Sequence, residues 1–151
     1  MAKNSIREQI LVYHKRYLIG KVSSISHVVR VMPKYADLQQ FAVTQFPLAA
    51  IVGRLPVPKE KISSRDGSAV DLIISSLKID NFIYLQERED PDSVISEIVD
   101  DVWAKCYSNV TYGGLAMSTT LKVSEDVEYW DPFIAFKLTA EVVYKHSTGG
   151  I

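Results

Sequence analysis

Between Phe133 and Tyr144 the chain carries an alternating pattern. Ile134, Phe136, Leu138, Ala140, Val142 and Tyr144 fall on one side, and Lys137, Thr139 and Glu141 on the other. A side-chain period of two belongs to a β-strand, and a strand apolar on one face and wet on the other belongs in an antiparallel sheet covered on one side. Two helical patterns are available to cover it. Between Ser5 and Ile19, Ser5 and Glu8 have capping-box spacing, Ile6, Ile10, Tyr13 and Tyr17 share a stripe, Leu11 and Leu18 lie at its margins, and Gly20 follows as a left-handed terminator. The second begins at Asp90, a capping residue, with Pro91 at the first helical position and Asp92 at the positive end of the helix dipole. Val94, Ile95, Ile98, Val99, Val102, Trp103 and Cys106 form its apolar face, opposite Ser96, Glu97, Asp100, Asp101, Ala104 and Lys105.

The remaining segments supply further strands. Ile25–Met32 is β-branched and ends at Pro33; Asp37–Val43 fits one or two helical turns; Leu48–Arg54 reads as a buried strand opening after Pro47. Val70–Glu87 is either one long strand, irregular near Ser75-Ser76, or a hairpin turning at Asp80-Asn81; the single strand is preferred. Gly113-Gly114 breaks the chain before a strand from Ala116 to Val123, and Glu125, Asp126, Glu128 and Asp131 read as an acidic turn. Leu55–Ala69, with two Pro, one Gly and mixed charge, reads as a long loop, and His146–Ile151 as a mobile tail. The expected architecture is α+β: one domain over 1–151, with a mixed or antiparallel sheet of four to five strands and two amphipathic helices packed on one face.

Composition narrows the class. With 151 residues, 47% apolar and 23% charged, the chain can bury a core and is not of disordered or low-complexity type. The longest apolar run, Pro47–Val52, is too short to cross a bilayer, no apolar stretch of signal-peptide type follows Met1-Ala2-Lys3-Asn4, and the single Cys106 fits a reducing compartment. No membrane partner is expected. The net charge of −1 conceals a split. Residues 1–65 hold eleven Lys or Arg against three acids, and residues 66–151 hold six against fifteen, giving +8 and −9. Either the folded surface is dipolar and suits head-to-tail association of identical copies, or the charges interleave.

The catalytic vocabulary is thin. Neither Gly113-Gly114 nor Gly149-Gly150 has the flanking residues of a phosphate loop, and His14, His27 and His146 lack metal-ligand spacing. His14 reads as a helix-flank residue, Cys106 as core, and the acids between Glu87 and Asp101 as caps and solvated surface. No enzyme, cofactor or metal is expected.

Several segments together suggest a family. They are the helix Ser5–Ile19; Gln45-Phe46-Pro47-Leu48-Ala49-Ala50-Ile51-Val52; the 55–69 loop; Glu87-Arg88-Glu89-Asp90-Pro91 leading into a helix; Tyr112-Gly113-Gly114-Leu115; and Ala135–Tyr144. In this order they resemble the tail terminator proteins of long-tailed bacteriophages, the minor tail protein U family of phage lambda. The resemblance implies a homohexameric ring, assembled in the host cytoplasm, at the head-proximal end of the virion's tail. Such a ring stops tail-tube polymerisation and provides the head–tail joining surface. Its partners would be the tail tube protein, a neck or head-completion connector, a sheath protein in a contractile tail, and genomic DNA as a polymer passing through the lumen.

On that reading, Arg54, Lys59, Lys61 and Arg65 are candidate subunit contacts against Glu87, Glu89, Asp126 and Glu128, with Tyr129 and Trp130 as apolar anchors. Two alternatives stand beside it. One is a different neck or tail-completion protein of the virion. The other is a small nucleic-acid- or ligand-binding module using the basic first half, although Tyr13 and Tyr17 there read as buried rather than as a stacking platform.

Overall fold

In a computed structural model describing residues 5–62, 72–86, 90–130 and 132–147, the alternating segment is one of two long strands on which the sheet is built. β4 (Leu72–Gln86) and β6 (Phe133–Ser147) pair antiparallel over their full length, with Leu72 opposite Ser147 and Gln86 opposite Phe133. β5 (Ser118–Trp130) flanks β6. On the far side of β4 lie β2 (Leu48–Gly53), against residues 79–84, and β3 (Val57–Ile62), against residues 72–76. A short β1 (His27–Val29) pairs parallel to β2, completing a mixed sheet of six strands in the order β1-β2-β4-β6-β5 with β3 beside β4.

Opposed residues of an antiparallel ladder share a face. Ala49, Ile83 and Phe136 therefore form one apolar row, and Ile79, Ala140 and Leu121 another. On this face lie α1 (Ile6–Tyr13), with the π turn His14–Leu18 that continues it, and α3 (Pro91–Ser108). Ser5 caps α1 by accepting the Glu8 N–H, and Asp90, in left-handed conformation, caps α3 by accepting that of Ser93. A smaller cluster on the opposite face packs Leu38 of α2 (Tyr35–Leu38) and Phe46 on Leu48, Tyr84 and Phe133. The α+β class, the two amphipathic helices on one face and the single long strand over 72–86 agree with the sequence reading; the described residues form six strands rather than four to five.

Several boundaries differ, each for a physical reason. The first helix takes an extra residue in its π turn, so the buried stripe runs through Ile10, Leu11, His14, Leu18 and Ile19, and Tyr17 is left 48% exposed rather than buried. Gly20 has no positive φ; its role is steric, because a Cβ there would collide with the Lys15 carbonyl oxygen at the tightened helix end. The strand expected over 25–32 shrinks to His27–Val29, after which the Arg30 guanidinium forks onto Glu8 of α1 at 2.9 and 3.3 Å. Helical turns fall at Tyr35–Leu38 and Val43–Gln45 rather than over 37–43.

The 55–69 loop contains a strand, β3, whose Pro58 adjoins a bulge at the sheet's margin, where a missing N–H is tolerated; residues 63–71 lie outside the described ones. Of the expected acidic turn, Glu125, Asp126 and Glu128 are instead part of β5, and Asp131 lies outside the described residues. An irregularity between Val123 and Val127 keeps its acids in an edge strand, and the reversal comes after Trp130. His146 is not in a mobile tail but in β6, buried, with its ring bonded to the Ser75 hydroxyl at 2.8 Å.

Gly20→Ala is expected to lower stability by about 1–3 kcal/mol through the Lys15 clash. The urea midpoint reads it, and an unchanged midpoint would mean that this helix end opens freely.

Candidate functional site

The strand order converts the charge split of the sequence into a spatial one. β1, β2 and β3 come from the basic first half; β4, β6 and β5 come from the acidic second half and lie side by side beyond them. The sheet is open at both sides, and the two margins differ. β3 carries Lys59, Glu60 and Lys61, whereas β5 carries Glu125, Asp126 and Glu128. Three strand spacings separate β3 from β5, about 14 Å. The acids lie diagonally across from β3, because β3 pairs with the 72–76 end of β4, whereas the β5 irregularity faces Phe136–Leu138.

The candidate contact residues have unequal fates. Arg54 donates from Nε and Nη2 to both Asp80 oxygens at 2.8 and 3.0 Å, and the Thr139 hydroxyl donates to the same carboxylate at 2.7 Å. Burial raises the Asp80 carboxyl, but these hydrogen bonds, with the Arg54 and Lys137 charges, outweigh it and hold the group below its ordinary range. Lys59 lies 3.8 Å from Glu141. Arg54 and Lys59 of the first half are thus tied to acids of the second, so the charges interleave locally although the margins stay unlike. Lys61 sits on β3 opposite Ile73, its side chain outside the described ones, and Arg65, Glu87 and Glu89 lie outside the described residues. Asp126 and Glu128 are exposed and border a hollow of about 200 Å³ with Phe82 and Lys137. Tyr129 is 66% exposed and available as an anchor, whereas Trp130 is half-buried against Tyr84, ring centroids 6.0 Å apart.

A polar cluster that the sequence reading missed lies beneath the helices. His14, Asn81 and Tyr112 are each fully buried. Asn81 Nδ2 donates to the Leu138 carbonyl at 2.9 Å, which leaves Oδ1 to accept from His14 Nε2 at 2.6 Å. His14 Nδ1 then accepts from the Tyr112 hydroxyl, also at 2.6 Å. Desolvation depresses the His14 pKa to about 4, so the ring is neutral near pH 7, as this assignment requires. Tyr112 holds a left-handed backbone, φ 48°, ahead of Gly113 and Gly114, which share that conformation. His14 is therefore a core residue, not a helix-flank one. One signal was legible: Asn81 interrupts the apolar series Leu77, Ile79, Ile83, Leu85 at the position facing the helices.

Elsewhere, burial pushes the Cys106 thiol up to about 12, leaving it protonated and unreactive. A hollow of about 440 Å³ between β1 and α2 is walled by Val29, Val31, Met32 and Phe41, and its charged neighbours Arg30 and Asp37 are occupied with Glu8 and the Lys34 N–H. Among the described residues no three His, Cys, Asp or Glu side chains converge as metal ligands, and no helix is long and apolar enough to cross a membrane. No protein-family model matches the chain, and no curated protein matches it significantly.

The buried histidine sets a pH dependence. Its folded pKa is depressed below the ordinary 6.5, so below that pH the unfolded chain binds the proton first. The stabilisation is complete above pH 6.5 and lost as the pH falls toward 4, about 3 kcal/mol in all. His14→Gln gains no such proton and should show a shallower fall in urea midpoint between pH 6.5 and 4; parallel profiles for the two proteins would refute the assignment.

Proposed function

We propose that this protein is a ring-forming structural subunit of a phage virion, a tail terminator that caps the head-proximal end of the tail tube. The observation that supports the reading most is one open sheet bearing two unlike margins, basic at β3 and acidic at β5. A contact between two different patches of the same chain is heterologous, and heterologous contacts close into rings when the rotation per subunit allows it. Exposed strand margins supply backbone donors and acceptors for such a contact, and their opposite charges fix which margin meets which. Ion pairs at a rim contribute only about 0–1 kcal/mol each, so apolar groups such as the exposed Tyr129 carry more of the affinity. The order of segments shared with tail terminators supplies the rest: a ring on the tube end, stopping polymerisation and offering its other face to the head-side connector, with DNA passing through the lumen.

A charge-swap experiment tests the contact. Lys59→Glu/Lys61→Glu makes both margins acidic, and Asp126→Lys/Glu128→Lys makes both basic. Neither variant alone should form rings by mass photometry and negative-stain imaging, while an equal mixture should form rings of alternating copies. Either variant assembling like the parent would sink the contact assignment. A parent protein that neither forms rings nor caps purified tail tubes would sink the function.

A further inference from the structure

On the sheet face turned away from α1 and α3, β4 places Ser76, Lys78 and Asp80 in register with Val143, Glu141 and Thr139 of β6. Ser76 is also opposed by Val57 of β3. It is only 3% exposed, and its Oγ is a buried side-chain atom without a hydrogen-bond partner. An unmade hydrogen bond inside a protein costs on the order of 1–3 kcal/mol, so such a group requires a reason. Its neighbour Ser75, pointing to the other face, satisfies its own hydroxyl on His146.

Ser76 lines a hollow of about 260 Å³ whose other polar walls are Arg54, Lys59, Lys78 and Glu141. Counting Asp80, to which Arg54 is bound, three cations meet two carboxylates there, an excess of one positive charge. Lys78 faces Glu141 directly across the β4–β6 ladder, and Lys59 approaches the same carboxylate only at 3.8 Å. Among the described residues Glu141 is approached by Lys59 alone, and Lys78 forms no ion pair. The volume exceeds that of several water molecules at about 30 Å³ each, which leaves room for a small hydrated anion.

We propose that this hollow is an oxyanion site, taking a carboxylate or phosphate group between Lys59 and Lys78, with the Ser76 hydroxyl turning out of its buried position to donate to one of its oxygens. A singly charged oxyanion balances the excess cation and gives the Ser76 hydroxyl its missing acceptor. The inference rests on residues of one copy; Lys59 is shared with the proposed ring contact, so the test substitutes Ser76 and Lys78, which that contact does not use.

The test uses the full-length protein with inorganic phosphate and, separately, acetate as probes, against chloride at matched ionic strength. Saturable amide shifts at Ser76, Lys78 and Val57, with a rise in melting temperature, are expected for at least one probe; which of them acts distinguishes a phosphate source from a carboxylate source. Lys78→Met keeps the aliphatic stem and should weaken binding about tenfold, the loss of one charge-assisted bond. Ser76→Ala separates the site from an ordinary buried hydroxyl: it should leave the anion-free protein as stable or more so, yet reduce the anion's effect. Equal responses to chloride and both probes, or undiminished binding in Ser76→Ala and Lys78→Met, would overturn the proposal.

Discussion

The ladder between β4 and β6 is the constraint on which the rest of the molecule depends. Fifteen residues of each strand face one another without a register shift, so a slip of β6 by one against β4 would turn Phe136, Leu138 and Ala140 from the helices toward the opposite face. Every other element is positioned by this spine. β2 and β3 share its first margin, β5 takes its second, and α1 and α3 cover one of its faces. The other face remains polar along one half, where Lys78, Asp80, Lys137 and Glu141 line it, and is closed along the other half by the α2 cluster around Tyr84 and Phe133.

The covered face contains a polar cluster beneath the first helix, and its completeness explains its presence. A histidine, an amide and a phenol buried together are costly unless every donor and acceptor among them is matched. Here the chain of bonds runs from Tyr112 through His14 and Asn81 to the Leu138 carbonyl, so it joins the loop after α3, the π turn, β4 and β6 at one point. An apolar trio of the same volume would hold the same elements with less directional demand. The network instead specifies one orientation of the first helix over the sheet, and that orientation needs the extra residue of the π turn to bring His14 inward.

Much of this architecture was legible because period and punctuation agreed. The alternation from Phe133 onward, the Asp90-Pro91 start of α3 and the Gly113-Gly114 break each rest on local physics that tertiary packing did not overrule. The failures share a cause. β3 carries no alternating apolar pattern because it lies at a margin, and two prolines disguise it further. The end of β5 is acidic for the same reason, so a strand read as a turn. Edge strands are stabilised by partners on one side and water on the other, and water leaves little signature in a sequence. Of the candidate contact residues, Lys59, Asp126 and Glu128 lie on the margins of the sheet, but charge alone could not show that Arg54 is already bound by Asp80, an acid 26 residues away in the chain.

Those weakly patterned margins also frame the molecule's central tension. An unpaired strand exposes a row of backbone donors and acceptors to any other strand, and proteins commonly blunt such margins with charge, proline or bulges. All three devices operate here: Pro58 and its bulge on β3, and acids with an irregularity on β5. Charge of one sign along both margins would repel every copy equally. Opposite signs do something different, because each margin then repels its own kind and attracts the other. The feature that prevents indiscriminate stacking of like margins is therefore the same one that permits a directional, head-to-tail contact, and a separate specificity element is not required.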